Sequence, residues 1–296
     1  MATDVMSRNT VPPKDIIKII TDKPVSVMPS LVSLLIPCTG MNEYTQMCVA
    51  SILKHTRMPY EMIFIDIGSL DGTEDYLTGL KQGLNQVRVE IVRTPTDLGI
   101  PAACRDAIDR CRGEYVVFLN NDIIVTAGWI NKMIGLMESS TSLGMVGPMS
   151  NFTIHPQLVE TVPYRSGRRK QLRAGDEASG SHGLIDLDAL NAFAEEMHKE
   201  NQGKWLRAER LGPFCLMIRR ELIKKFDKQG TFGKYDLTLF DTDILSARVR
   251  QLGYNLAVCR DLFIHHFGVR TFAHGAPATT ATTGTAGGVP NTENPS

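Results

Sequence analysis

The early part of the chain repeats one pattern: a short apolar run, a polar or glycine-containing loop, then helical spacing. Val32-Ser33-Leu34-Leu35-Ile36-Pro37 reads as a buried strand. It leads into the loop Cys38-Thr39-Gly40-Met41-Asn42-Glu43 and a helical stretch from Tyr44 to His55. A second unit follows, Glu61-Met62-Ile63-Phe64-Ile65-Asp66 with an acidic tip, then Ile67-Gly68-Ser69-Leu70-Asp71-Gly72-Thr73 opening a helix. The third comprises the strand Val89 to Val92, the loop Asp97-Leu98-Gly99 and the helix Ala102 to Cys111. The fourth is the strand Tyr115 to Leu119, ending in Asn120-Asn121-Asp122. Strands alternating with helices in this way predict a parallel sheet in an α/β layer fold. Further on, Asp186 to Lys199 carries Leu187, Leu190, Phe193, Ala194 and Met197 at helical spacing. Lys14 to Ile20 reads as a short amphipathic helix closed off by Asp22-Lys23-Pro24.

The fourth strand is also the first sign of chemistry. In open α/β sheets, ligands bind just outside the carboxyl ends of strands. A hard divalent cation there takes one or two carboxylates plus substrate phosphates. Asp122 is positioned to supply one such oxygen, or else to cap the element that follows. The segment alone leaves both readings open.

Composition narrows the class. With 43% hydrophobic residues in 296, the chain can bury a full core as one large or two small domains. The 32 basic and 32 acidic side chains cancel, which removes any global pull toward nucleic acid or acidic membranes. No run reaches the ~18–20 apolar residues of a spanning helix, and Met1 to Thr10 has no signal-like apolar stretch. Cys38, Cys48, Cys104, Cys111, Cys215 and Cys259 form no C-x-x-C pair. They read as buried free thiols of a reducing compartment, so the expected location is cytoplasmic, with peripheral attachment to the inner membrane face as a variant.

The ordered motifs Ser33-Leu34-Leu35-Ile36-Pro37, Asp66-Ile67-Gly68-Ser69-Leu70-Asp71-Gly72-Thr73, Asp97-Leu98-Gly99 and Leu119-Asn120-Asn121-Asp122 resemble glycosyltransferase family 2. Gly212-Pro213-Phe214-Cys215-Leu216-Met217-Ile218-Arg219-Arg220, Phe240-Asp241-Thr242-Asp243 and Phe263-Ile264-His265-His266-Phe267-Gly268 extend the resemblance downstream. It implies a GT-A fold: a Rossmann-like, mostly parallel sheet flanked by helices, in one catalytic domain over 30–272. A nucleotide-binding half over 30–137 and an acceptor half over 138–272 are expected, with a leader over 1–29. The tail, 273–296, is almost all Ala, Thr, Gly, Pro and Asn and is expected to be disordered.

The resemblance implies an inverting transfer from a nucleotide sugar of the UDP type. For the nucleotide sugar we assign the loop containing Pro37, Thr39 and Glu43, together with Asp66, Asp97, Asn121 and Arg105. Asp71 reads as a helix cap. For the leaving diphosphate we assign Asp122 and His266 around Mn²⁺ (or Mg²⁺). The imidazole favours Mn²⁺, and Asn120 stands at the first position of the family's Asp-x-Asp motif. Adjacent His265 and His266 on a strand face opposite ways, so only one serves the site. Asp241 aligns with the general base and Asp243 with the last acid of the family's Glu-Asp-x-Asp motif, although Phe240 replaces the Glu. Aligning from Arg248-Val249-Arg250-Gln251-Leu252-Gly253-Tyr254 without a gap puts Thr242 at the base instead, and a helix-capping role for the two acids also stands.

Expected partners are the donor and a glycan, lipid-linked glycan or protein acceptor. The basic stretch Arg165 to Arg173, within a long loop over 165–183, reads as a solvated surface loop; the alternatives are a lid over the donor diphosphate or a contact surface for a polyanionic acceptor, such as a modified DNA base. Two other functions compete. One is a nucleotidyltransferase on a similar sheet, disfavoured by a first loop without Lys or Arg. The other is a catalytically degenerate sugar-binding or scaffold subunit, kept open by Asn120, Phe240 and Thr242.

Overall fold

The apolar runs of the first half are buried along almost their whole length, which requires cover on both faces of the sheet. The structure is a computed structural model describing residues 16–18, 31–94, 100–166, 185–228 and 241–268. In chain order the elements are β1 (Ile16–Lys18), β2 (Val32–Cys38), α1 (Asn42–His55), β3 (Tyr60–Ile67), α2 (Thr73–Gly83), β4 (Arg88–Thr94), α3 (Ile100–Asp109), β5 (Tyr115–Leu119) and β6 (Ile123–Ile124). There follow α4 (Trp129–Glu138), β7 (Leu143–Met149), α5 (Leu187–Asn201), β8 (Lys204–Ala208), β9 (Cys215–Arg219), α6 (Arg220–Lys228), α7 (Thr242–Gln251), β10 (Asn255–Phe263) and β11 (His265–His266).

Nine strands form one sheet in the order β1-β8-β10-β7-β9-β5-β2-β3-β4. The ladders joining β5, β2, β3 and β4 are parallel, as the spacing predicts. Beyond β5 the sheet is mixed: β9 runs antiparallel to both β5 and β7, and β10 is parallel to β7. Period-2 alternation sorts the core into two layers. Val32, Leu34 and Ile36 pack with Cys48 and Ile52 of α1, Leu77 of α2 and Trp129 and Met133 of α4. Leu35, Ile63 and Ile65 face the other way, into a cluster with Ala103 and Ala107 of α3, Leu190 of α5 and Leu245 of α7.

Chain order in the sheet reverses between β2 and β5: β3 and β4 lie on one side of β2, and the chain then returns to its other side as β5. That reversal opens a crevice at the carboxyl ends of β2 and β5. A separate two-stranded ribbon begins directly after the β5 tip, with His265 opposite Ile124 and His266 opposite Ile123.

One expected helix is absent. Within Lys14 to Ile20, Ile16–Lys18 is an edge strand antiparallel to β8. The β-branched Ile16 and Ile17 suit a strand, and the edge of β8 supplies backbone partners that an isolated short helix lacks. The rest of the leader, Asp97, Phe240, most of the basic loop (167–184) and the tail lie outside the described residues. Ser166 bridges to Ile185, and Asp186 N donates to Arg165 O at 3.0 Å, so the flanks of that loop meet. All six cysteines are buried and free. Burial raises their thiol pKa values, to about 12 for Cys104 and Cys111.

Candidate active site

The β2–α1 and β3–α2 loops are tied together by acidic side chains. Asp71 Oδ2 accepts Asn42 N at 2.9 Å, and its Oδ1 accepts Thr73 Oγ1 at 2.6 Å and Thr73 N at 3.3 Å. One carboxylate thus caps two helices, α1 and α2, in accord with its expected capping role. Partial burial pushes its pKa up, but the bonds from Thr73 and Asn42 outweigh that and hold it below the ordinary value. Gly40 has φ +82°, and a Cβ there would lie 3.3 Å from Asp71 Oδ2, so the loop passes closest to its clasp at a glycine. Asp66, 3% exposed at the end of β3, accepts Ser69 N at 3.3 Å and lies 3.6 Å from Arg93 Nε. Ser69 Oγ in turn accepts Gly40 N at 2.8 Å. Pro37 is buried near the end of β2, Thr39 and Glu43 are half-buried around the loop, and Arg105 is on the exposed side of α3.

Asn121 is buried beneath this loop. Its Nδ2 donates to Gly40 O at 3.1 Å and to Thr45 Oγ1 at 2.9 Å, so it holds the loop in place. Asn121 Oδ1 is buried with no hydrogen-bond partner among the described residues.

The β6–β11 ribbon brings His266 against Asp122. The His266 Nδ1 lies 2.7 Å from Phe152 O. A carbonyl only accepts, so Nδ1 carries the proton and, in the neutral ring, Nε2 presents its lone pair. That nitrogen lies 3.3 Å from Asp122 Oδ1 and 3.4 Å from Asn120 Nδ2. A lone pair facing a buried carboxylate oxygen is repulsive unless a proton or a cation lies between them. An imidazole whose second nitrogen donates to a carbonyl, beside a carboxylate, is a donor set suited to Mn²⁺. No group of three or more His, Cys, Asp or Glu gathers as a metal cage among the described residues. Asp122 and His266 fit a cation shared with substrate phosphates rather than one caged by protein.

The support of His266 was not anticipated from sequence. Asn151 grips its backbone at both ends: Nδ2 donates to His266 O at 3.0 Å, and Oδ1 accepts His266 N at 2.9 Å. The Phe214 ring stacks on the imidazole (5.5 Å, 18°), and Phe152 meets it edge-on (5.4 Å, 71°). The available signal was the end of the β7 strand, where Ser150-Asn151 repeats the polar-tip pattern of the earlier units. His265 faces away, with Nδ1 2.9 Å from Tyr164 OH, and burial drives its pKa down to about 3. It is a neutral core histidine.

The two acids of the downstream motif lie at the start of α7. Asp241 is its N-cap, with Oδ1 accepting Asp243 N and Ile244 N, each at 3.1 Å. Asp243 is exposed and 3.4 Å from Arg210 Nη1. Leu211 N donates to Ser246 Oγ at 3.4 Å and Gly212 N to Gln157 Oε1 at 2.6 Å. These bonds fasten the start of α7 and the loop after β7 to the segment leading into β9. Because β9 is antiparallel to β5, with Cys215 opposite Leu119, that segment lies at the same sheet edge as Asp122.

This edge, with its switch-point crevice and its carboxylate–imidazole pair, has the architecture of a nucleotide-sugar transferase of the GT-A type. The family model for glycosyl transferase family 2 matches residues 33–186, just over half of the chain, and the chain belongs to that family. It is 27% identical over 232 residues to the uncharacterized protein y4gI of Sinorhizobium fredii (strain NBRC 101917 / NGR234), covering 76% of this chain and 23% of that protein. Its fold is similar to GalNAc-T7 in its crystal structure with UDP, GalNAc and Mn²⁺, with a TM-score of 0.54 and 14% identity over 86% of this chain and 46% of that one. It is also similar to the mannosyltransferase PcManGT from Pyrobaculum calidifontis in complex with GDP-Man and Mn²⁺, with a TM-score of 0.50 and 16% identity over 83% of this chain and 60% of that one. The chain therefore spans under two thirds of the length of each of these relatives.

Proposed function

We propose that this domain transfers a sugar from a nucleoside diphosphate sugar, of the UDP type, to an acceptor hydroxyl with inversion at the anomeric carbon. The observation that carries the reading is the approach of His266 Nε2 to Asp122 Oδ1 at 3.3 Å beside the switch-point crevice. When bound there, Mn²⁺ (or Mg²⁺) would neutralise the charge that the diphosphate gains as the glycosidic bond breaks. Asp66 would accept hydrogen bonds from the base or ribose, with Pro37, Thr39, Glu43 and Asn121 shaping the loop around the nucleotide. Asp97 and Arg105 are proposed further contacts to that loop or to phosphate.

Asp241 is the base in this reading. Both capping bonds go to its Oδ1, and neither uses Oδ2, which would take the acceptor hydroxyl's proton. The hydroxyl oxygen bonds to the anomeric carbon as the bond to the diphosphate breaks on the opposite face. The products are an inverted glycoside and a nucleoside diphosphate, and the proton rests on Asp241. We assign the acceptor to the class of free or lipid-linked glycans.

Calorimetry with UDP and with GDP, with and without Mn²⁺, tests the reading. The expected result is Mn²⁺-dependent nucleotide binding that Asp122→Ala and His266→Ala abolish without a large change in melting temperature. Full activity in EDTA would remove the metal from the reading, and no nucleotide binding would remove the function. One observation favours a second reading: Asn120 Nδ2, 3.4 Å from His266 Nε2, can donate to the lone pair in place of a cation. That suits a degenerate sugar-binding subunit, which would bind nucleotide but turn over none.

A further inference from the structure

A concavity of about 800 Å³ lies at the amino ends of β2, β3 and β4, the opposite edge of the sheet from the crevice. That is the volume of a site for a small organic molecule. Its walls are the segments that follow α1 and α2. Both helices stop at an extended residue, Thr56 and Leu84, whose N–H returns to Ile52 O and Leu80 O. Trp129 Nε1 donates to Thr56 Oγ1 at 2.9 Å and fixes the first wall from the core side. The floor is apolar. Leu53, Met58, Tyr60, Leu84 and Val87 line it, half-buried, and pack on the core layer beneath α1 and α2.

The charged groups of the lining are three arginines, Arg57, Arg88 and Arg112, against one carboxylate, Glu61. Arg88 is committed within the protein: it lies 2.6 Å from Glu61 Oε2 and 3.1 Å from Glu90 Oε1, and donates to Arg110 O at 3.1 Å. Arg57 and Arg112 are exposed, and neither guanidinium has a hydrogen-bond or ion-pair partner among the described residues. Arg112 uses only its backbone, donating N–H to Glu61 Oε1 at 2.6 Å. The side-chain amides of Asn85 and Gln86 are exposed in the same wall and equally uncommitted among the described residues. The carboxyl ends of α1 and α2 bring partial negative charge to this edge, and Lys54 and Lys81 in their last turns counter it. His55 registers the resulting field. Burial first, then the charges of Lys54 and Arg57, hold its pKa below the ordinary value.

We propose that this amino-edge pocket binds a phosphate monoester with an apolar or aromatic body, the phosphate taken by Arg57 and Arg112 and the body laid on Leu53, Met58, Leu84 and Val87. A guanidinium presents a planar fork that matches phosphate oxygens in pairs. A phosphomonoester carries about −1.5 to −2 at pH 7, which matches two uncommitted guanidinium charges, whereas a carboxylate supplies only one. Asn85 and Gln86 offer donors to the remaining oxygens. Arg112 and Arg88 belong to the Glu61 network, so a bound ester adds to the clasp between β2, β3 and the turn before β5 and raises stability by linkage. The site is separate from the crevice assigned to the nucleotide, and the inference does not rest on the transfer reading.

Phenyl phosphate, inorganic phosphate and benzoate are the probes. Calorimetry on the full chain is run in EDTA, so that no divalent cation draws phosphate to Asp122 and His266. Phenyl phosphate is expected to bind about tenfold or more tighter than inorganic phosphate, from burial of its ring, and tighter than benzoate by a similar factor, from its second charge. Arg57→Gln and Arg112→Gln should each weaken phenyl phosphate about tenfold or more, the scale of one charged hydrogen bond, with the melting temperature of the free protein and Mn²⁺-dependent nucleotide affinity unchanged. Amide NMR should place the shifts at Arg57, Asn85, Gln86 and Arg112 rather than at 40–43 and 69–73. Absence of phenyl phosphate binding would overturn the proposal, as would binding that survives both substitutions or that shifts the crevice loops instead. Equal affinity for inorganic phosphate would remove the apolar body, and equal affinity for benzoate would remove the phosphate, and either result overturns the ligand class proposed. Nucleotide binding with Mn²⁺ is measured separately, so failure here leaves the transfer reading standing, and loss of that reading leaves this pocket standing.

Discussion

Both edges of the central sheet bury carboxylates at strand ends, yet they treat them in opposite ways. At the amino edge, Glu61 is 1% exposed and its bonds are made within the protein. Its Oε1 accepts Ser33 Oγ at 2.5 Å and Arg112 N at 2.6 Å, and its Oε2 accepts Arg88 at 2.6 Å. Ser33 Oγ also accepts Gly113 N at 2.8 Å, and Arg88 reaches Arg110 O at 3.1 Å, so the network ties β2 and β3 to the turn before β5. At the carboxyl edge, Asp122 Oδ1 lies 3.3 Å from His266 Nε2, while Asn121 Oδ1 and Thr153 Oγ1 are buried without hydrogen-bond partners among the described residues. Buried polar groups in folded proteins are nearly always satisfied. A closed network stabilises the fold, and unsatisfied polar atoms beside the crevice, as at Asn121 and Thr153, suit the binding proposed above.

The sharpest way to break this contrast is to neutralise one acid at each edge. Asp122→Asn should reduce turnover at least about 10²-fold, beyond the usual loss for a residue that merely supports a ligand, and leave the melting temperature nearly unchanged. Glu61→Gln should do the reverse. Its amide must turn an N–H toward a donor, so the folded state should lose on the order of 3 kcal/mol, measured by urea unfolding, while the folded fraction keeps its nucleotide affinity. Equal stability losses at both sites would erase the distinction between the edges.

Asp241 tests whether one carboxylate both caps and reacts. Asp241→Asn retains an oxygen for the Asp243 and Ile244 N–H groups, so α7 should persist. Loss of a general base typically costs about 10²–10⁴ in rate, and we expect kcat to fall by at least about 10² with nucleotide affinity preserved. Asp243→Asn should do less, because it would lose only its exposed pairing with Arg210. If the Asp243 variant is the inactive one, the roles exchange.

A smaller effect is expected at Asn151, which touches the proposed site only by holding the His266 backbone. Asn151→Ala should weaken Mn²⁺-dependent nucleotide binding about tenfold, in the lower range for such supporting partners. Affinity for nucleotide without metal should stay level, a split that general destabilisation would not give.

The mildest test is acid. Burial raises the pKa of Glu61, but bonds from Ser33, Arg112 and Arg88 outweigh it and hold the group below its ordinary value of 4.5. A carboxyl with a lowered folded-state pKa stabilises the protein above its unfolded value and loses that contribution as pH falls through the folded one. Stability should therefore drop below about pH 4.5, and Glu61→Gln should flatten that part of the unfolding profile. An unchanged acid limb in the variant would move the origin of the loss to other carboxylates, Asp71 among them.

The apolar runs of β2, β3 and β5 were legible because a strand buried on both faces must be apolar almost throughout, and that is a local property. So were the acidic strand tips, the cap at Asp71, the buried thiols and the order of motifs that marks the family. Ile16–Lys18 was misread because its choice between helix and strand depends on the edge of β8, a partner that no local pattern reveals. The sequence by itself determined which residues stand at strand ends and what chemistry they carry. Only the tertiary structure decided that Asn120 and His266, 146 residues apart, would meet, that Asn151 and Phe152 would grip the imidazole, and which nitrogen would hold its proton. Side-chain periodicity is written residue by residue. The pairing of β6 with β11, and the hydrogen bond from His266 Nδ1 to a distant carbonyl, exist only once both sheet halves have packed.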